Sequence, residues 1–170
     1  MSLITNDRVS VGAATILCPT YFGFAVDATG SITAAGYNQA WTSIKTAIAS
    51  APVAGPDVRF AGLNFGVYTA TRPCRSTSVI SVWSDKTAAL SSTIPTFPSL
   101  SNGCLGCGIS EPLTLFYNAS VIADPAARKV LYISSDGQSN PVNSCNSAVN
   151  PPALASAARA QGITVFTVGE

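Results

Sequence analysis

The sequence predicts an α/β domain: a doubly wound, mostly parallel central sheet with helices on both faces. Three observations predict it. Short apolar runs alternate with segments of helical spacing, which is the pattern of successive strand–helix–strand units. The first run, Tyr21-Phe22-Gly23-Phe24-Ala25-Val26, has apolar residues on both alternating faces, as a central parallel strand requires. Two of the runs end in aspartate, at Asp27 and Asp136. In open parallel sheets, ligands bind outside the carboxyl ends of the strands.

Each element follows in order. The first strand closes at Asp27, and Ala28-Thr29-Gly30-Ser31 makes the turn into a helix over Ala35–Ser50. Trp41, Ile44, Ala47 and Ile48 recur on one side of that helix at helical spacing. Pro52, Gly55 and Pro56 break the chain. Val58–Val67 reads as a second strand. Ser78–Trp83 alternates and reads as a third, pairing antiparallel with the second as an edge, with Arg72–Thr77 in the connecting loop. Asp85–Ser92 suits a short helix. Residues Pro95–Gly108 form a Pro/Ser/Gly-rich loop with two cysteines, a length that is often functional. Ser110 is expected to cap a helix over Glu111–Ala119, with Pro112 in its first turn. Lys129–Ser134 is a strand leading into Ser135-Asp136-Gly137. A helix over Ala153–Gln161 is stopped by Gly162, and Ile163–Val168 is the last strand.

Composition narrows the function classes. A chain of 170 residues fits one domain. Charged residues make up 10% against the usual ~25%, so Ser, Thr, Asn and Gln must supply surface polarity, a leaning toward extracellular or matrix proteins. The net charge is +1 with no basic run, which points away from nucleic acid. No apolar stretch is long enough to span a bilayer. The opening MSLITNDRVS lacks the layout of a signal peptide. Lys45, Lys86, Arg128 and Lys129 are scattered and read as solvated surface. Histidine is absent, which excludes Ser-His-Asp and Cys-His catalysis and histidine metal sites. The enzyme class is therefore the weakest expectation.

The five cysteines are Cys18, Cys74, Cys104, Cys107 and Cys145, an odd number. In a secreted domain they imply up to two bridges, with Cys74 and Cys145 as partners for the Cys104/Cys107 loop and the connectivity open. Zinc on Cys104-x-x-Cys107 lacks a second close pair. Asn118-Ala119-Ser120 fits the glycosylation pattern, but its place on a helix favours a chance match.

The carboxylates Asp27 and Asp136, with hydroxyls between them in sequence, form a hard oxygen donor set suited to Mg²⁺. The bland readings are a strand-end turn for Asp27 and a helix N-cap for Ser31. The segment Phe24-Ala25-Val26-Asp27-Ala28-Thr29-Gly30-Ser31-Ile32 resembles the first metal-site motif of von Willebrand factor type A domains, Asp-x-Ser-x-Ser, with Thr29 for the first serine. Leu131–Gly137 is similar to the family's later strand ending in a metal-site aspartate. Ala153–Val168 is similar to the helix and strand that follow. The family's third motif, a threonine before a helix, has two candidate registers, Ser110 and Cys107; a hydroxyl suits Mg²⁺ better.

The resemblance implies a MIDAS-like site of Asp27, Thr29, Ser31, Ser110 and Asp136 holding Mg²⁺ (or Mn²⁺ or Ca²⁺), with one position open to an acidic side chain of a protein partner. It implies a secreted adhesion or matrix module. The alternative is a structural module of a larger assembly that packs through its sides. The expected organisation is an N-terminal extension over 1–17, including an extra strand in Val9–Leu17, and the domain over 18–170 without the family's last helix and strand.

Overall fold

The computed structural model describes residues 10–11, 14–15, 18–51, 58–67, 74–100, 104–117, 119–136 and 150–169. Gly137, Cys145, Asn118 and the Pro52/Gly55/Pro56 break lie outside the described residues. Ser10–Val11 (β1) and Ala14–Thr15 (β2) pair antiparallel, so a short hairpin stands where one extra strand was expected. The main sheet holds Thr20–Asp27 (β3), Val58–Val67 (β4), Cys74–Ser84 (β5), Arg128–Ser135 (β6) and Ile163–Gly169 (β7). Its order is β5-β4-β3-β6-β7, parallel except for the antiparallel edge β5. This is the doubly wound sheet the sequence predicts.

The helices are Ala34–Ser50 (α1), Lys86–Ser91 (α2), Leu105–Leu115 (α3), Ala119–Ala123 (α4) and Pro151–Ala160 (α5). Two apolar clusters lie on opposite faces of the sheet. One joins Phe24, Val26 and Phe60 to Tyr37, Trp41 and Ile48 of α1 and Ala89 of α2. The other joins Ala25, Leu63, Phe65, Leu131 and Ile133 to Ile109, Phe116, Tyr117, Val121 and Ala158. Alternation along each strand sends odd and even residues to different clusters, which is the period-2 rule at work. Helix α1 sits so close to the sheet that the Trp41 ring would lie 2.9 Å from a Cβ at Gly62. Buried Asn64 accepts from Trp41 Nε1 at 2.8 Å and donates to Tyr37 Oη at 2.7 Å, which gives each of the three polar groups under α1 a partner.

Several expectations are corrected. Strand β5 begins at Cys74, so residues 74–77 are strand and not loop; Ser76, Arg75 and Cys74 pair with Phe65, Gly66 and Val67. Helix α3 begins at Leu105, inside the expected loop, and its N-cap is Cys104, not Ser110. Pro112 therefore lies inside the helix. Its ring would crowd the carbonyl four residues back, and that residue is Gly108, where an added Cβ would meet Phe65 at 2.7 Å. Helix α5 begins after an N-cap at Asn150, whose side chain accepts from Ala153 N, and Gly162 (φ 73°) ends the following turn.

Three of the four basic residues read as solvated surface are instead engaged. Lys129 is 5% exposed and donates to Ile122 O and Asp124 O at the end of α4. Lys86 donates to Ala49 O and Ala51 O at the end of α1, and Lys45 to Leu90 O and Ser92 O at the end of α2. Cations there complement the carbonyls that a helix C-terminus leaves unpaired. Arg128 is exposed as expected.

Candidate metal-site rim

The rim is built at the carboxyl ends of β3 and β6. Parallel pairing sets Val26 opposite Ser134, which brings Asp27 and Ser135 to the same level with Asp136 one residue beyond. Asp27 is 1% exposed. Its Oδ1 accepts from Thr29 N at 3.0 Å, and its Oδ2 accepts from Ser135 Oγ at 2.8 Å. The first bond is the turn role of the bland reading; the second ties β3 to β6. Burial pushes the Asp27 carboxyl above its ordinary value; the hydrogen bonds from Thr29 and Ser135 act the other way, and the Asp136 charge adds to the rise. Asp27 and Asp136 are therefore near enough to repel.

Thr29 is fully buried, and its Oγ1 lies 3.1 Å from Ser31 Oγ. The cap of α1 is Thr33, whose hydroxyl accepts from Gly36 N at 3.0 Å. Ser31 is thereby released from the capping role and stays in the turn. Leu100 buttresses that turn: Leu100 N donates to Ala28 O and Gly30 N to Leu100 O, both at 2.7 Å, and Thr29 and Leu100 form an isolated parallel bridge. Ala28 N donates to Phe65 O at 3.0 Å, fastening the turn to β4 as well.

The structure brings Asp27, Thr29, Ser31 and the Ser135-Asp136 step together. It places Ser110 in the second turn of α3, with its hydroxyl 3.7 Å from Cys74 Sγ. Cys107, the other register for the third motif, is bonded to Cys74, which pins the first turn of α3 to the start of β5. Cys104 at the N-cap is also disulfide-bonded, and Cys18 is a free, exposed thiol. Neither cysteine of the Cys104-x-x-Cys107 pair is left as a zinc thiolate. Among the described residues, no group of three or more Cys, Asp or Glu gathers to hold a metal, so any ion here depends on hydroxyls as well as carboxylates. Leu100 and Ser135 are the contributors that sequence reasoning missed. Ser135 was legible as the residue before Asp136; nothing local marked Leu100.

A family model of the von Willebrand factor type A domain matches residues 23–170. No curated protein matches the chain. Among solved structures, two of proximal thread matrix protein 1 from the mussel byssus match at 21% and 22% identity, each with a TM-score of 0.61. A third structure of that protein, with a zinc-occupied MIDAS motif, matches at 22% identity and a TM-score of 0.62. In each case 88% of this chain and 35% of the other is covered, so this chain spans about a third of the length of those structures. At such identity the likeness shows the fold.

Proposed function

We propose a function from the premise that this chain belongs to the von Willebrand factor type A domain family: it is an extracellular protein-binding module that holds a divalent cation at the rim and presents it to an acidic side chain of a partner, with no catalytic step. The observation that carries the proposal is the grouping of buried Asp27 with the Thr29/Ser31 hydroxyl pair and Asp136. Asp27 is held by an amide and a hydroxyl, with no lysine or arginine among its partners in the described residues. Its ionisation is opposed by burial and by a second carboxylate, a condition a dication relieves. The donors are all oxygen, which fits Mg²⁺, Mn²⁺ or Ca²⁺ better than a soft ion.

In this reading Thr29 and Ser31 offer hydroxyls directly, and Asp27 and Asp136 offer carboxylate charge directly or through water. A bound dication would supply a concentrated positive charge with a coordination position for a partner's carboxylate. This reading leaves the Ser110 hydroxyl, 3.7 Å from Cys74 Sγ, outside the ligand set. Thr29 Oγ1 and Ser31 Oγ are held side by side by the Leu100 buttress, so little ordering remains to be done on binding. Extracellular placement is supported by the Cys74–Cys107 bridge and the bonded state of Cys104, since such bridges persist in oxidising compartments. No described helix is long and apolar enough to cross a membrane.

Titration with Mn²⁺ followed by amide NMR tests the site. The Thr29, Gly30 and Ser31 signals should broaden first in the wild type and stay sharp in Asp27→Ala. Retention on a matrix-coated surface in Mg²⁺, lost with chelator and with Asp27→Ala, tests the role. Equal retention by Asp27→Ala would defeat it.

One observation favours a second reading, a structural module packing through its sides. Beside α1, the even-numbered face of β6 and β7 lacks a covering helix among the described residues. There Phe22, Phe24 and Tyr132 line a cleft of about 760 Å³, the two phenylalanines each stacked on Tyr132, and Phe166 stacks on Tyr132 beside it. Phe166 and Val168 are 46% and 54% exposed. Assembly that survives chelator and Asp27→Ala would support this reading over the first.

A further inference from the structure

We propose that Arg75 forms a second, anion-reading subsite beside the rim, so that the partner segment is diacidic, with one carboxylate for the ion and one for the guanidinium. This inference rests on the reading of the rim as a metal-dependent protein-binding site.

Register and close packing place Arg75 there. Arg75 stands opposite Gly66 in the β4–β5 pairing. A Cβ at Gly66 would lie 3.0 Å from Thr29 Cγ2 and 2.7 Å from Leu100 Cδ1. Residues directly opposite in an antiparallel pair have Cα atoms about 4.5–5.5 Å apart and project to the same face. The Arg75 backbone is thus one strand spacing from the row that packs against Thr29. Its long side chain is exposed to solvent and lines the same cleft as Leu100.

A cleft of about 340 Å³ adjoins it, lined by Asn64, Arg75, Ser76, Thr77, Pro98 and Leu100. Leu100 is the same residue that buttresses Thr29, so the cleft and the proposed ion site share a wall. The lining offers the Arg75 guanidinium and the Thr77 hydroxyl, which is chemistry for a carboxylate.

The disposition of the other cations sharpens the case. Lys45, Lys86 and Lys129 are engaged with helix-end carbonyls. Arg59 and Arg128 sit at the amino ends of β4 and β6, and Arg159 in the last turn of α5, all at the opposite end of the sheet. Among the described residues, Arg75 is the one cation at the rim end. Neighbouring Ser76, by contrast, turns to the other face and donates to Glu111, which keeps that carboxylate with α3. In an extended partner, side chains two residues apart are roughly 7 Å apart on one face. That spacing suits one carboxylate at the ion and the next acidic residue over Arg75.

The test uses the full chain and capped glycine-based pentapeptides carrying either one aspartate or two acidic residues separated by one or two glycines. Affinities are read by amide NMR in Mg²⁺ and in chelator. The diacidic peptide should bind the wild type about five- to tenfold more tightly than the monoacidic one, and the gain should shrink with added NaCl. Arg75→Ala and Arg75→Met should erase the gain and leave monoacidic binding unchanged; Arg75→Lys should keep part of it. Equal binding of the two peptides by the wild type, or a gain that survives in Arg75→Ala, overturns the subsite. An Arg75-dependent gain that persists in chelator keeps the subsite and defeats the metal reading. Failure of both peptides to bind the wild type in Mg²⁺ overturns both.

Discussion

The two ends of the sheet treat charge in opposite ways. Around the helix ends away from the rim, each described lysine is matched to backbone carbonyls: Lys129 closes α4 and Lys86 closes α1, while Lys45 closes α2 along the flank. At the rim, buried Asp27 has an amide and a hydroxyl for partners, and Asp136 adds like charge. Matched charge serves the fold. In the proposed reading, the carboxylates under the polar turn lower the stability of the empty domain and raise its affinity for a cation.

Substitutions at the two ends should separate these roles. Lys129→Ala should have the largest effect on the fold, since it strips two carbonyls of a buried charged donor. A loss of about 2–3 kcal/mol is expected, or roughly 5–10 °C in thermal midpoint for a domain of this size. The Mn²⁺-induced rise in midpoint should be unchanged; a loss of that rise would mean the two ends are coupled.

Asp27→Asn should do the reverse. With chelator present its stability should stay within about 1 kcal/mol of the wild type, because an amide can accept from Thr29 N and donate to Ser135 Oγ. The stabilisation conferred by Mn²⁺, about 2.7 kcal/mol at a hundredfold excess over Kd, should vanish. A chelated Asp27→Asn domain that is far less stable would place Asp27 with the structural group.

Tyr117 tests the structural group by pH. Its hydroxyl donates to Val130 O, and burial pushes its pKa well above the ordinary 10.0. Because the folded value is raised, the neutral form favours folding. That contribution is complete below pH 10.0 and is lost as the pH climbs toward the folded value. Tyr117→Phe should cost about 1 kcal/mol at neutral pH and should lose stability less steeply above pH 10.0 in alkaline melts. Parallel alkaline curves would exclude this role. The smallest stability change is expected for Ser31→Ala, within about 0.5 kcal/mol because the residue is exposed. Weaker Mn²⁺ broadening at Thr29 would still mark it as a ligand.

Much of the fold was legible because strands buried on both faces are held mostly apolar, a polar residue such as Asn64 needing buried partners. Val58–Val67 has the limits its apolar run predicts, and β3 and β6 extend theirs by one or two residues. The edge strand was only half legible. Residues 75–77 are polar and read as loop, yet they pair because β4 offers them an open backbone edge. Helix α3 was hidden by its glycines. Gly106, Cys107 and Gly108 suggest a loop by propensity, whereas the helix needs them small, since a Cβ at Gly108 would strike Phe65 and Ile133. Lys129 looked like surface because its partners are carbonyls, which carry no signature in sequence.

By itself the sequence determined the alternation of strands and helices, the placing of Asp27 and Asp136 at strand ends, and the hydroxyls at Thr29 and Ser31. Those are local facts of side-chain chemistry and hydrophobic period. Only the tertiary structure decided that Thr33 caps α1 and so releases Ser31, that Ser110 turns to Cys74, and that Leu100 and Arg75 flank the rim. Each of these depends on strands or loops distant in sequence being brought side by side, and pairing register has no single-residue signal.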